Sequence, residues 1–278
     1  MNGNNIFLNS LNQSFAALWG NKSKALILGV LQILFFGVIL YIGFYQVRMI
    51  ESAKAMSDYL SGQQFDDVTI ANKILEQQDI LGDNPEVIGH GFDSIIGNFR
   101  IFLFYFFIAV ISFMSLAWAL ASKFDANLNS GFWKTFLRNV AILLVSLGLI
   151  GAFFLMILNI PFSEAAFQGS KILVKYASFL LFSIIIMYFV FIWLSLAWKY
   201  GLNEIMIKSL QIGIKKANYI ISAYILVFIL IILSLYLVFY LIDINFFAST
   251  IALISFIFSF VFGRMLVFNI VNRLDKSS

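Results

Sequence analysis

Six uninterrupted apolar runs, each of about twenty residues, decide what this chain can become. A helix rises ~1.5 Å per residue, so one such run crosses the ~30 Å hydrocarbon core of a bilayer. The runs cover 25–45, 99–120, 140–160, 176–198, 219–241 and 247–268. A membrane β-barrel is excluded, because its segments alternate in polarity and are about ten residues long, whereas these runs are continuous. Charged residues make up only 12% of the chain, half of the roughly one quarter that a soluble surface requires. The expected fold is therefore an all-α polytopic membrane helix bundle, a single integral domain over 1–278. The first run is longer than a signal core and lacks a small-x-small cleavage pattern after it, so it is expected to stay as a helix.

Orientation follows from lysine and arginine. With the N-terminus inside, twelve of the eighteen Lys and Arg residues fall on inner segments and six on outer ones. Both termini are expected to be cytoplasmic, in a multi-pass protein of the cell membrane. The pI near 9.2 reflects this inner bias and calls for no nucleic-acid partner.

Short amphipathic segments precede the odd-numbered runs. In the first, over 6–24, Phe7, Leu8, Leu11, Phe15, Leu18 and Trp19 oppose Asn9, Asn12, Gln13 and Ser14. In the second, Leu128, Phe132, Trp133, Phe136 and Leu137 oppose Asn129, Ser130, Lys134 and Arg138. In the third, Leu202, Met206, Leu210, Gly213 and Ile214 oppose Asn203, Lys208, Gln211, Lys215 and Lys216. Such segments suit helices at the cytoplasmic interface, with apolar faces in the acyl boundary and lysines on anionic lipid.

Ser115-Leu116-Ala117-Trp118 recurs as Ser195-Leu196-Ala197-Trp198, and Phe99, Phe102 and Val110 match Phe179, Phe182 and Val190 at the same offset. Both tryptophans are expected at the membrane interface. The repeating unit is an interfacial helix, a span outward, a loop and a span back. This pattern is similar to the multi-span membrane domain of some glycerophosphodiester phosphodiesterases, and to uncharacterised six-helix membrane families of archaea and bacteria. The catalytic domain of those phosphodiesterases is absent, so the resemblance implies a membrane fold and no activity.

Residues 46–98 carry nine acids against three bases. Val47, Ile50, Met56, Tyr59 and Leu60 suggest a helix continuing the first span, and Ile70, Ile74, Leu75 and Leu81 a second. Gly82-Asp83-Asn84-Pro85 reads as a turn. The expected result is a small helical extracytoplasmic cap. Asp79, Asp83, Asn84 and Glu86 offer oxygens but lack EF-hand spacing. The single histidine lies in Gly89-His90-Gly91-Phe92-Asp93-Ser94, read as a glycine turn rather than a Ser/His/Asp nucleophile set. With no cysteine and one histidine, thiolate and multi-histidine metal centres are ruled out, and no metal, cofactor or catalytic residue is expected.

Inside the membrane the candidate face lies in the sixth run. Ala248, Ala252, Ser255, Ser259 and Gly263 recur every three or four residues, which suits close helix packing or the wall of a polar groove. Gly148 with Ala152, and Gly29 with Gly37, read as lesser versions of that packing. Gln32 is the costly polar group of the first run and requires a partner across a helix interface. Arg264 would stand at the inner mouth of the groove, and it and Arg100 lie near run ends, where long side chains snorkel. The expected function is a non-enzymatic component that organises lipid or assembles with a membrane-protein partner or further copies of itself. The alternative is a permease or transporter subunit for a small uncharged or lipid-like substrate.

Overall fold

The computed structural model describes residues 3–61, 86–124, 131–158 and 169–276. Among them the chain forms eight helices and no strand: α1 (Gly3–Gly20), α2 (Lys22–Ser61), α3 (Glu86–Ala121), α4 (Phe132–Leu158), α5 (Gly169–Leu196), α6 (Leu202–Lys215), α7 (Ala217–Leu241) and α8 (Phe246–Lys276). Six of these, α2 to α5, α7 and α8, are long and apolar enough to cross a membrane. This is a multi-pass helical protein. Helix is the structure that satisfies every backbone N–H and C=O within the segment itself, which lipid cannot do. At its start α8 is capped by Asn245, whose Oδ1 accepts from the N–H groups of Phe247 and Ala248 at 2.9 and 3.1 Å.

The chain divides into two compact units, Met1–Ile33 with Ile111–Ser278, and Leu34–Val110. In the smaller unit the end of α2 lies against the start of α3. Ser52 and Ser94 share a hydrogen bond at 2.9 Å, Tyr45 stacks on Tyr105, and a Cβ at Gly91 would collide with the Met56 side chain. Glycine is present there because two helices come close. The segment 89–94, expected as a turn, is thus a helical stretch of α3. The continuation of the first span runs to Ser61. The second short helix and the 82–85 turn of the expected cap lie outside the described residues.

In the larger unit the core gathers around the C-terminal half of α8, from Ser259 to Asp275, against which α1, α5, α6 and α7 pack. α4 and α5 pair through Phe153 with Phe179 and Phe182. Two of the three expected interfacial segments are separate helices, α1 and α6. The second is not set off from its span: Phe132 to Leu158 is one helix, and 128–130 lie outside the described residues. Trp118 is only 2% exposed, packed near Phe191, so it belongs to the core rather than to a lipid interface. Ala197 and Trp198 fall in the turn after α5.

Candidate functional site: the C-terminal half of α8

Successive residues on a helix are about 100° apart, so the expected small-residue stripe of α8 spans a broad face with Ser255 at its edge, about 60° from Ala252. The structure separates its members accordingly. Ala248 is half-buried, Ala252, Ser259 and Gly263 are buried, and Ser255 is exposed with its hydroxyl donated to the Ile251 carbonyl. The buried members face α7. Ser259 Oγ donates to the Ser255 carbonyl at 2.8 Å and sits 3.2 Å from Ser234 Oγ, and a Cβ at Gly263 would stand 2.5 Å from Val227 Cγ1. The lesser versions behave differently. Gly148 and Ala152 are exposed, and a Cβ at Gly29, Gly37 or Gly148 would meet nothing within 4 Å, so no close approach requires those glycines.

Arg264 does not belong to that face, nor does it snorkel. It lies about 120° around α8 from Ala252, turned toward α2. Its Nη2 donates to Gln32 Oε1 at 3.2 Å, and the residue is only 8% exposed. Gln32 thereby has a partner across a helix interface, and the partner is a cation. The second guanidinium nitrogen, Nη1, is buried without an acceptor. One to three turns further on, and on the opposite side of the helix, α8 forms a polar seam with α1. Asn269 Nδ2 donates to Ser14 Oγ at 2.8 Å, and Arg273 Nε donates to Gln13 Oε1 at 3.0 Å. Gln13 and Ser14 of the polar side of α1 therefore meet α8 rather than headgroups, and from the apolar side the Phe15 ring lies 4.5 Å from that of Phe262 while Leu18 is buried in the core. Leu8, Phe15 and Trp19 remain exposed, Trp19 at 79%.

At the last turn of α8, Asp275 draws in the start of α6 and the turn before it. Lys199 Nζ lies 2.6 Å from Asp275 Oδ2, the Tyr200 hydroxyl donates to the same oxygen at 2.8 Å, and Lys208 Nζ stands 3.9 Å from Oδ1. Burial works against the Lys199 ammonium. Its hydrogen bonds with Asp275 and Tyr200, with the Asp275 charge, outweigh that and hold its pKa above the ordinary lysine value. α6 is fastened along its length. The Tyr188 hydroxyl donates to the Gly213 carbonyl at 2.7 Å and Trp193 Nε1 donates to Ser209 Oγ at 2.6 Å. A Cβ at Gly213 would stand 2.7 Å from the Phe189 ring. The docked edge is Ile205, Ser209, Ile212 and Gly213, while Leu202, Met206, Leu210 and Ile214 form an exposed apolar strip. Beside the first turn of α6 is an open hollow of about 480 Å³, lined by Arg138, Gly201, Leu202, Asn203 and Glu204. Arg138 already donates from there to the Ala197 carbonyl at 3.0 Å.

Asn269, Asp275, Lys199 and Tyr188 were not singled out in the sequence. Asp275 had one available signal, being an acid set between Arg273 and Lys276. Asn269 and Tyr188 had none, since neither stands out from its neighbours by spacing. In the smaller unit, His90 is exposed on α3, and Ser94 is engaged by Ser52 and by Asn98, whose Nδ2 donates to Ser94 Oγ at 3.3 Å. No group of three or more metal-ligating side chains occurs among the described residues. No protein-family model, curated protein or solved structure matches the chain.

Proposed function

We propose that this protein is a non-enzymatic component of the cell membrane that gathers anionic lipid at its inner face, with both termini cytoplasmic. The observation that carries the reading is the double-sided character of α1 and α6. Each is docked on α8 or α5 by one edge and keeps an apolar strip exposed on another: Leu8, Phe15 and Trp19 on α1, and Leu202, Met206, Leu210 and Ile214 on α6. Lys22 and Lys215 stand beside these strips, while Lys208 and Lys216 are engaged by Asp275 and by the Leu274 carbonyl. An apolar strip flanked by lysines belongs at the acyl–headgroup boundary, where anionic lipid supplies the countercharge. The excess of lysine and arginine on the inner segments supports the orientation. The permease alternative asks for a polar path along α8, and the packing of Ser259 and Gly263 against α7 favours the lipid reading over it.

The test is the lipid that accompanies the protein out of its native membrane. Anionic lipids should be enriched several-fold over their bulk share, and joint replacement of Lys22 and Lys215 by Gln should remove most of that enrichment. Co-purified lipid with the bulk composition would overturn the reading.

A further inference from the structure

We propose that Arg264 and Gln32 form a binding site for a phosphate oxyanion, set about one helical turn inside the inner end of the α8 apolar run. The argument begins with an imbalance of charge. An arginine buried in a membrane protein requires a countercharge or a full set of acceptors. Arg264 has one acceptor, the neutral amide oxygen of Gln32, and its Nη1 has none. Among the described residues no carboxylate pairs with it. Asp275, the nearest acid on the same helix, is about 16 Å further along the axis and is held by Lys199 and Tyr200. The missing acceptor therefore comes from outside these residues.

The chemistry of the fork specifies what fits. Nη1 and the second proton of Nη2 present parallel donors that match two oxygens of one phosphate, a geometry that lysine cannot reproduce. Gln32 fixes the rotation of the guanidinium by holding the other Nη2 proton. Two sources supply such an oxyanion, an anionic lipid headgroup or free phosphate. Only the choice of lipid as the source rests on the proposed function.

The experiment is a thermal melt and a native mass spectrum of the purified full chain in neutral detergent, titrated separately with phosphatidylglycerol, phosphatidylcholine and inorganic phosphate. Phosphatidylglycerol should raise the melting temperature and leave one tightly retained lipid, and phosphatidylcholine, whose phosphate is countered by its own ammonium, should do both more weakly. Arg264→Met should weaken that one equivalent by about tenfold or more, the scale of a lost charge-assisted hydrogen bond. Arg264→Lys should fall between the two, and serves if the methionine variant does not fold. An Arg264-dependent shift with inorganic phosphate that matches the lipid's would keep the site and reassign its source to a soluble anion. Retention of the tight equivalent in both Arg264 variants would overturn the site. The double lysine variant at Lys22 and Lys215 should keep that equivalent while losing the looser lipid, so failure of the site and failure of the proposed function give different patterns.

Discussion

From Phe246 to Phe258, α8 exposes Phe246, Phe247, Ile251, Leu253, Ile254 and Phe258, whereas from Ser259 to Asp275 nearly every residue is buried, Arg264, Asn269 and Asp275 among them. The first half turns large apolar side chains outward, and the second buries polar and apolar side chains alike. In water the exposed apolar residues of the first half would be drawn inward, because burying apolar surface drives folding there. In a bilayer an exposed phenylalanine costs nothing, while an exposed amide or charge does, so polar groups go where protein takes the place of lipid as solvent. The two halves thus divide the labour: the N-terminal one suits lipid, and the C-terminal one holds α1, α5, α6 and α7 together.

The sharpest way to break that contrast is to overfill the one place where it depends on a missing side chain. Gly263→Leu forces Val227 aside at a backbone approach too close even for a Cβ, and should cost about 3 kcal/mol or more. Gly148→Leu, on an exposed site of α4 where a Cβ meets nothing, should leave stability within about 0.5 kcal/mol. Equilibrium unfolding in mixed micelles measures both. Equal losses would mean that the buried half of α8 is no more tightly packed than a lipid-facing helix.

A smaller effect is expected at the last turn. Asp275→Asn leaves Lys199 and Lys208 without their countercharge. Removing one partner of a fully buried pair costs ~3–5 kcal/mol, but the Lys199 side chain is 36% exposed and can turn to water, so about 1–2 kcal/mol is expected. The pH dependence has a definite sign. The pKa of Lys199 is raised on folding, so its contribution is complete below the ordinary lysine value of 10.5 and is lost as pH rises through the higher folded value. Stability followed from pH 9 upward should therefore fall more steeply for the wild type than for Lys199→Met. Parallel curves would remove Asp275 from the account of what holds α6.

The sequence made the helices legible but left their faces open. The six runs and the extension of α2 to Ser61 followed from length and apolarity, because the backbone in lipid has one local solution. α1 shows why the faces did not follow. Its wheel has an apolar and a polar side, and in water the apolar side would pack. Here both sides pack, Ser14 on Asn269 and Leu18 in the core, while Trp19 is left exposed, since lipid removes the penalty for an apolar side chain outside. Arg264 was read by depth alone, as a side chain near a span end. Its partner Gln32 is more than two hundred residues away, and nothing in the spacing of either residue points to the other. The Gly89–Gly91 segment was read as a turn because two glycines break local patterns, yet Gly91 lies in a helix where Met56 of α2 comes close.

The smallest expected effect concerns α6, which combines features of both halves of α8: one edge docked, the other exposed. Tyr188→Phe removes the hydroxyl that donates to the Gly213 carbonyl and leaves the ring in place. A single neutral hydrogen bond contributes about 1 kcal/mol, so global stability should change little. Local opening of α6 should increase by about fivefold, because the Gly213 carbonyl near its end loses its cross-helix donor. Amide hydrogen exchange over 202–215 reads this directly. Anionic lipid should suppress the increase if the exposed strip at Leu202, Met206, Leu210 and Ile214 is seated in the bilayer, since bound lipid would then hold the helix from its other side. An increase of the same size with and without that lipid would mean that the protein edge alone holds α6 in place.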